Sequence, residues 1–254
     1  MNKEFEKGVF KIMKKLIINA DDFGYCKGVN YGIVEACKEG ILTSTTMMAN
    51  MPGFVHAIGL HEQNPSLGIG VHLVLTTGRP VLRNLKTITD AEGNFRKQAY
   101  YKGAFIVDEL EIYNEWKAQI EKILEAGIIP THLDSHHHAN VFGNFNTIFL
   151  KLADEYNLPV RNNFTNSDKK RRTTDAFVYT METVIKTTKD LDNLFEFNNS
   201  VEIMCHPAFL DKFLLSNTSY TYPRTDELEL LTHPKTIELF KQHPEIQLTT
   251  FNNI

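Results

Sequence analysis

Short apolar runs and longer stretches of helical spacing alternate along most of the chain. Leu16-Ile17-Ile18-Asn19-Ala20 is a compact apolar run that stops at Asp21-Asp22. Residues 28–38 follow, with Val29, Ile33 and Ala36 at helical spacing and Gly40 behind them. Residues 43–49 are β-branched and apolar, residues 54–61 read as a short helix, and residues 68–75 alternate as Ile69, Val71, Leu73 and Leu75. Residues 107–126 carry the clearest helical face, with Leu110, Tyr113, Ile120, Ile123 and Leu124, closed by Gly127. A strand over 131–136, a helix over 145–156 and a short strand at Pro159-Val160-Arg161 come next. Strands over 176–179 and 201–206, a helix over 228–242 and a strand over 246–251 complete the series. About eight strands alternating with helices predict a mostly parallel α/β architecture, a single-domain, irregular (β/α) barrel of the TIM type. The stretch 76–103 has Gly78, Pro80 and Gly93 but no period, and predicts a long loop of the kind that covers active sites.

The polar residues sharpen this picture, because several of these strands end in ionisable groups. The first ends at Asp21-Asp22, another reaches His72, the next runs His132-Leu133-Asp134-Ser135-His136-His137-His138, and a late one ends at Cys205-His206-Pro207. In a parallel barrel all such ends meet on one face. Carboxylates and imidazoles gathered there suit a divalent metal with positions left for water and substrate. Strand period places His132, Asp134 and His136 on one face and Leu133 and Ser135 on the other. Each piece has an ordinary reading too: Asp21-Asp22 as a helix cap, a single histidine as a structural residue, the His run as a solvated turn. Four strand ends carrying such residues together favour the site.

Composition narrows the function class. The 254 residues are 42% hydrophobic and 23% charged, with a formal net charge of -4, so no basic surface for nucleic acid is expected. The run Lys169-Lys170-Arg171-Arg172 reads as a solvated loop. No apolar run approaches the roughly 20 residues that span a bilayer. Cys26, Cys37 and Cys205 lack metal-ligand spacing and fit a reducing compartment, and Cys26 reads as packing. Residues 1–12 are charged, without the apolar core of a signal peptide, and read as an extension before a domain over 13–254; the expected location is cytoplasmic. Asp22-Phe23-Gly24 matches the kinase magnesium motif, but no Gly-rich loop or catalytic-loop signature accompanies it.

Taken together, Asn19-Ala20-Asp21-Asp22-Phe23-Gly24, Thr43-Ser44-Thr45-Thr46, Gly70-Val71-His72-Leu73, Thr131-His132-Leu133-Asp134-Ser135-His136-His137-His138 and Cys205-His206-Pro207 resemble the YdjC/ChbG-type carbohydrate deacetylases. The matches run in order from about residue 15 to about residue 207. The resemblance implies a barrel-like fold, a magnesium-type divalent ion, and usually a homodimer. It also implies removal of the N-acetyl group from small oligosaccharides such as chitobiose. By the same resemblance Asp22, His72 and His136 are the metal ligands, with His138 the alternative to His136. Asp21 is the general base, and His206 the general acid or oxyanion partner.

From these roles a mechanism follows as an expectation. A divalent ion would polarise the acetyl carbonyl and acidify its water. Asp21 would take the water's proton, and His206 would protonate the departing amine, which calls for an imidazolium near neutral pH. Asp134 would fix a ligand imidazole by accepting its hydrogen bond. Arg161, assigned to substrate binding, would orient a carboxylate or touch sugar hydroxyls, with a surface ion pair as the plain alternative. The rival readings are a metal-dependent phosphoesterase, which normally wants a second metal and more carboxylates, and a sugar-binding relative without catalysis.

Overall fold

The computed structural model describes residues 13–164, 171–181 and 184–254. Residues 1–12, read above as an extension, lie outside the described residues, as do Lys169 and Lys170. Of the basic run, Arg171 pairs with Asp154 at 2.7 Å and Arg172 donates to the Asn157 carbonyl.

The chain opens with β1 (Lys14–Phe23), α1 (Lys27–Glu39), β2 (Ser44–Met47), α2 (Phe54–Glu62) and β3 (Gly68–Leu73). A long irregular stretch leads to α3 (Glu109–Glu125), then β4 (Leu133–Ser135), a 3-10 turn (His136–Val141) and α4 (Phe145–Glu155). The remainder is β5 (Ala176–Val178), α5 (Thr188–Leu194), β6 (Ser200–Cys205), α6 (Lys212–Asn217), α7 (Tyr222–Thr232), α8 (Pro234–Lys241) and β7 (Ile246–Leu248). Strands β1, β2, β3 and β6 are buried nearly end to end, as expected for parallel strands covered on both faces.

Every strand pairing is parallel, in the order β4-β3-β2-β1-β6-β5, with β7 beside the start of β1. Beyond β4, Val160 forms a parallel bridge to Leu133. Its N–H donates to the Arg172 carbonyl at 3.0 Å, and its own carbonyl accepts from the Thr173 hydroxyl at 2.7 Å. Hydrogen bonds thus run from β4 through residue 160 to the segment that becomes β5. This is the irregular, barrel-like α/β fold that the pattern predicts, with one stave reduced to a single residue.

Three elements depart from the pattern. The strand expected over 131–136 shrinks to Leu133–Ser135, because His137 and His138 adopt left-handed backbone conformations with φ of 55° and 53°. The helix expected over 228–242 is two helices. Pro234 cannot donate a helical hydrogen bond and forces His233 to extended geometry, where its Nδ1 accepts from the Lys235 N–H. The last strand stops at Leu248 and passes into a 3-10 turn.

The long loop is fastened rather than loose. Three side chains spaced four apart on α3 take its backbone. Glu111 accepts from the N–H groups of Lys86 and Thr87, Glu115 from those of Val81 and Leu82, and Gln119 both accepts from and donates to Val74. Glu115 and Gln119 are buried, so these bonds are made out of water and satisfy donors that would otherwise be orphaned.

Candidate active site

The strand registers assemble the site. Ala20 lies opposite Cys205, so Asp21 and His206 follow at neighbouring strand ends, and His72 lies opposite Asp134. Adjacent strand residues ordinarily point to opposite faces, yet both Asp21 and Asp22 reach the site. The reason is local. The β1–β2 register shifts between Ala20 and Phe23, and Asp22 sits at φ 76°, a conformation aspartate tolerates better than most residues. The pair therefore belongs to the strand end, not to a helix cap; α1 begins after Cys26 without a side-chain cap.

Asp22, His72 and His136 converge so that one ligand-type atom from each lies within 4.8 Å of the others. Asp22 Oδ1 is 3.0 Å from His136 Nδ1 and 3.4 Å from His72 Nε2. That oxygen is buried without a hydrogen-bond partner, while Asp22 Oδ2 accepts from Arg224 at 2.7 Å. One carboxylate oxygen and two ring nitrogens facing one point fit a divalent ion. His72 Nδ1 lies 2.6 Å from Asp134, which also accepts from Thr46, so Nε2 is the nitrogen turned toward Asp22. Burial disfavours charge on His72, but Asp134 and Asp21 push its pKa up to about 10. The surrounding carboxylates thus call for a positive charge at this point, from a proton or from a metal that displaces it.

A second cluster, Asp21, His72 and Asp134, is close enough to suggest a ligand set. Both of its carboxylates are already held by Arg161. The guanidinium is fully buried, donates to both Asp21 oxygens at 2.6 and 2.8 Å, lies 2.9 Å from Asp134 and donates to Glu202 at 2.8 Å. A cation there would face a guanidinium. Arg161 holds carboxylates that are the chain's own, Asp21, Asp134 and Glu202. Sealed beneath the cavity floor, it does not reach a sugar hydroxyl, and it is not a surface ion pair. Burial alone would raise the Asp21 pKa; Arg161 and His72 hold it well below the ordinary 3.8. Glu202, buried on the far side of the same guanidinium, is pushed by that burial up to about 7.

His206 stands at the end of β6 with its backbone N–H donating to Glu227 and its ring edge-on to Tyr220. Burial, helped by Arg224 and His72, lowers its pKa to about 4 against the pull of Asp21 and Asp22. The imidazolium expected near neutral pH is thus a neutral imidazole in the resting site. The turn carrying His206 packs on α1 where Gly32 has no side chain: a Cβ there would meet the Ala208 backbone at 2.4 Å. Gly32→Ala is expected to cost roughly 1–3 kcal/mol or more by overpacking. It should lower the melting temperature by about 5 °C, with a larger proportional loss of activity as His206 shifts; calorimetry and turnover check this.

The three consecutive histidines separate. His136 turns to Asp22, His137 stacks on it at 3.8 Å and meets the Thr76 hydroxyl, and His138 meets the Asn163 amide at 3.0 Å. Shared strand parity with His138 fails because the strand has ended before either residue. His132, on the same face as Asp134, lies too deep; it is buried and stacks on Phe251 at 3.9 Å. Cys26 is buried, which pushes its thiol up to about 12 and leaves it inert at neutral pH.

Two site residues escaped the sequence reading. Arg224 and Glu227 lie on α7, where the expected helix began only at residue 228. They share a buried face with Leu228 and Leu231 at the i, i+3, i+4, i+7 spacing. Two charged residues on an otherwise apolar helix face were the available signal. Above all these groups opens a cavity of about 630 Å³, walled by the 76–99 loop and by residues 217–220.

Comparison with known proteins gives the family. The family model described as YdjC-like protein matches residues 15–242. The chain belongs to the YdjC-like family. Among YdjC-like relatives, a carbohydrate deacetylase of Clostridium beijerinckii is 42% identical over 249 residues, covering 94% of this chain and 100% of that protein. One of Brevibacillus brevis is 41% identical over 253 residues, covering 94% and 99%. The crystal structure of a "putative cellobiose-phosphate cleavage protein" from Enterococcus faecalis superimposes with a TM-score of 0.85 at 35% identity, covering 95% of this chain and 98% of that one. Among the described residues no helix is long and apolar enough to cross a membrane.

Proposed function

We propose that this YdjC-like protein hydrolyses the N-acetyl group of a small amino sugar such as N,N'-diacetylchitobiose, with a divalent ion such as magnesium held by Asp22, His72 and His136. The observation that carries this reading is the buried, unpartnered Asp22 Oδ1 beside two ring nitrogens at the floor of an open cavity. The names of the relatives support the substrate class. When bound, such an ion supplies Lewis-acid polarisation of the acetyl carbonyl and a water of lowered pKa.

The protein's own groups divide the proton work. Asp21 stays ionised through the neutral range because Arg161 grips both its oxygens, so it can accept a proton whenever water is deprotonated. The same grip keeps it off the ligand set. His206, one strand over, lines the same cavity. Being neutral at rest, it takes up during turnover the proton that Asp21 has accepted from water, and an imidazolium with so low a pKa then gives it readily to the departing amine. Arg224 holds Asp22 by one oxygen and leaves the other turned toward His136 and His72. Asp134 and Thr46 keep His72 in one tautomer.

Acetate release from N,N'-diacetylchitobiose tests the reading. Turnover is expected with magnesium or another divalent ion, and it should fall at least 100-fold on exhaustive chelation and return on metal addition. Full activity in the chelated protein would remove the metal. Release of phosphate from a sugar phosphate in place of acetate would favour the phosphoesterase.

A further inference from the structure

We propose that a second cleft, beside His138 and outside the main cavity, is a subsite for a further, uncharged sugar unit of an oligosaccharide whose acetyl group lies at the metal site; this rests on the deacetylase reading above. The cleft has a volume of about 530 Å³, and among the described residues no charged side chain lines it. Its walls combine aromatic rings, Phe177 and Tyr179, with planar amides, Asn146, Asn162 and Asn163. Flat C–H faces that stack and hydroxyls that bond amides are what a neutral pyranose offers to such a surface.

Three details favour a ligand over simple packing. Tyr179 leaves its ring half exposed, 55% by area, whereas Phe177 is taken up by the Arg161 guanidinium at 4.9 Å and by Tyr179 itself at 4.6 Å. Asn146 Oδ1 is buried without a hydrogen-bond partner, an acceptor lacking a donor. Asn163 is held in place by reciprocal bonds with Asn140, whose N–H donates to Ser135, so the amide wall is preset rather than adaptable.

His138 joins the two spaces. Its ring lines the main cavity, its Nδ1 meets Asn163, and Tyr179 lies edge-on at 5.1 Å. The left-handed pair His137-His138 is what turns His136 to the metal site and His138 to the partition. A chain one sugar longer than the unit at the metal would cross this single ring to reach Tyr179.

Binding of N-acetylglucosamine and of N,N'-diacetylchitobiose to the magnesium-loaded protein, followed by calorimetry beside acetate release, tests the assignment. The disaccharide is expected to bind on the order of tenfold more tightly than the monosaccharide. Tyr179→Ala should remove that gain and leave monosaccharide binding and turnover within about twofold, and Tyr179→Phe should keep it. The subsite is overturned if the wild type shows no gain with length, or if the gain survives Tyr179→Ala. A gain lost in Tyr179→Ala with no acetate released from either sugar would keep the subsite and sink the deacetylase reading.

Discussion

Asp21→Asn should leave divalent-ion binding within a few-fold of wild type and lower kcat by about 10²–10⁴, the range for losing one positioned base. Asp22→Asn should do the reverse at first sight of the data, with ion binding lost and turnover lost as its consequence. The two positions are adjacent in sequence, nearly isosteric in both substitutions, and separated in function only by which neighbour holds them. Asp21 gives both oxygens to Arg161; Asp22 gives one to Arg224 and turns the other toward His136 and His72. Calorimetric ion titration and acetate release on both variants check the assignment. Loss of the ion in Asp21→Asn with retention in Asp22→Asn would reverse it. Circular dichroism guards against unfolding, since Asp21→Asn also weakens a buried ion pair.

The largest stability effect is expected at Arg161. Three buried carboxylates, Asp21, Asp134 and Glu202, share its guanidinium. Arg161→Met removes the guanidinium they share and should cost about 3–5 kcal/mol, on the order of 10 °C in melting temperature. Arg161→Lys should recover part of this, because an ammonium cannot fork between two oxygens of one carboxylate. The pH dependence has a definite sign. In the wild type Asp21 is held below 3.8, so its contribution is present above that value and lost as pH falls through the folded pKa. Without Arg161, burial instead raises the carboxyl, the neutral form is favoured in the fold, and stability falls as pH rises through the unfolded value. The deficit of Arg161→Met relative to wild type should therefore shrink between neutral pH and about pH 4. A deficit that is constant with pH in paired thermal scans would mean the guanidinium stabilises by packing alone.

Much of this site could be read from the chain because its residues sit at strand ends, and strand ends meet by topology. Asp21, Asp22 and His206 close apolar runs, His72 and Asp134 lie near the ends of theirs, and parallel pairing brings them together. Four things could not be read that way. The bulge that lets adjacent aspartates share a face depends on one positive φ at Asp22, a choice made by tertiary surroundings. The fate of three successive histidines depends on where β4 stops, and two left-handed residues set that stop without any glycine or proline to announce it. Arg161 reads as a strand-end residue, but burial is what makes it the counter-ion of Asp21, Asp134 and Glu202. Arg224 arrives from a helix some 200 positions along the chain from Asp22, and Glu227 from the same helix beyond an intervening α6, so no local spacing relates them to Asp22 and His206.

The row of Glu111, Glu115 and Gln119 along α3 has an outcome for how this scaffold can be altered. The helix supplies most of the acceptors and the loop mostly its own amides, with Gln119 also donating to Val74 and the Thr87 hydroxyl donating to Glu111, so the two travel as a cassette: a loop docks when its backbone, and a hydroxyl at position 87, meet those three side chains. Exchanging residues 74–125 between relatives as one piece would transfer a cavity wall intact. Exchanging the loop by itself would leave a buried glutamate searching for donors.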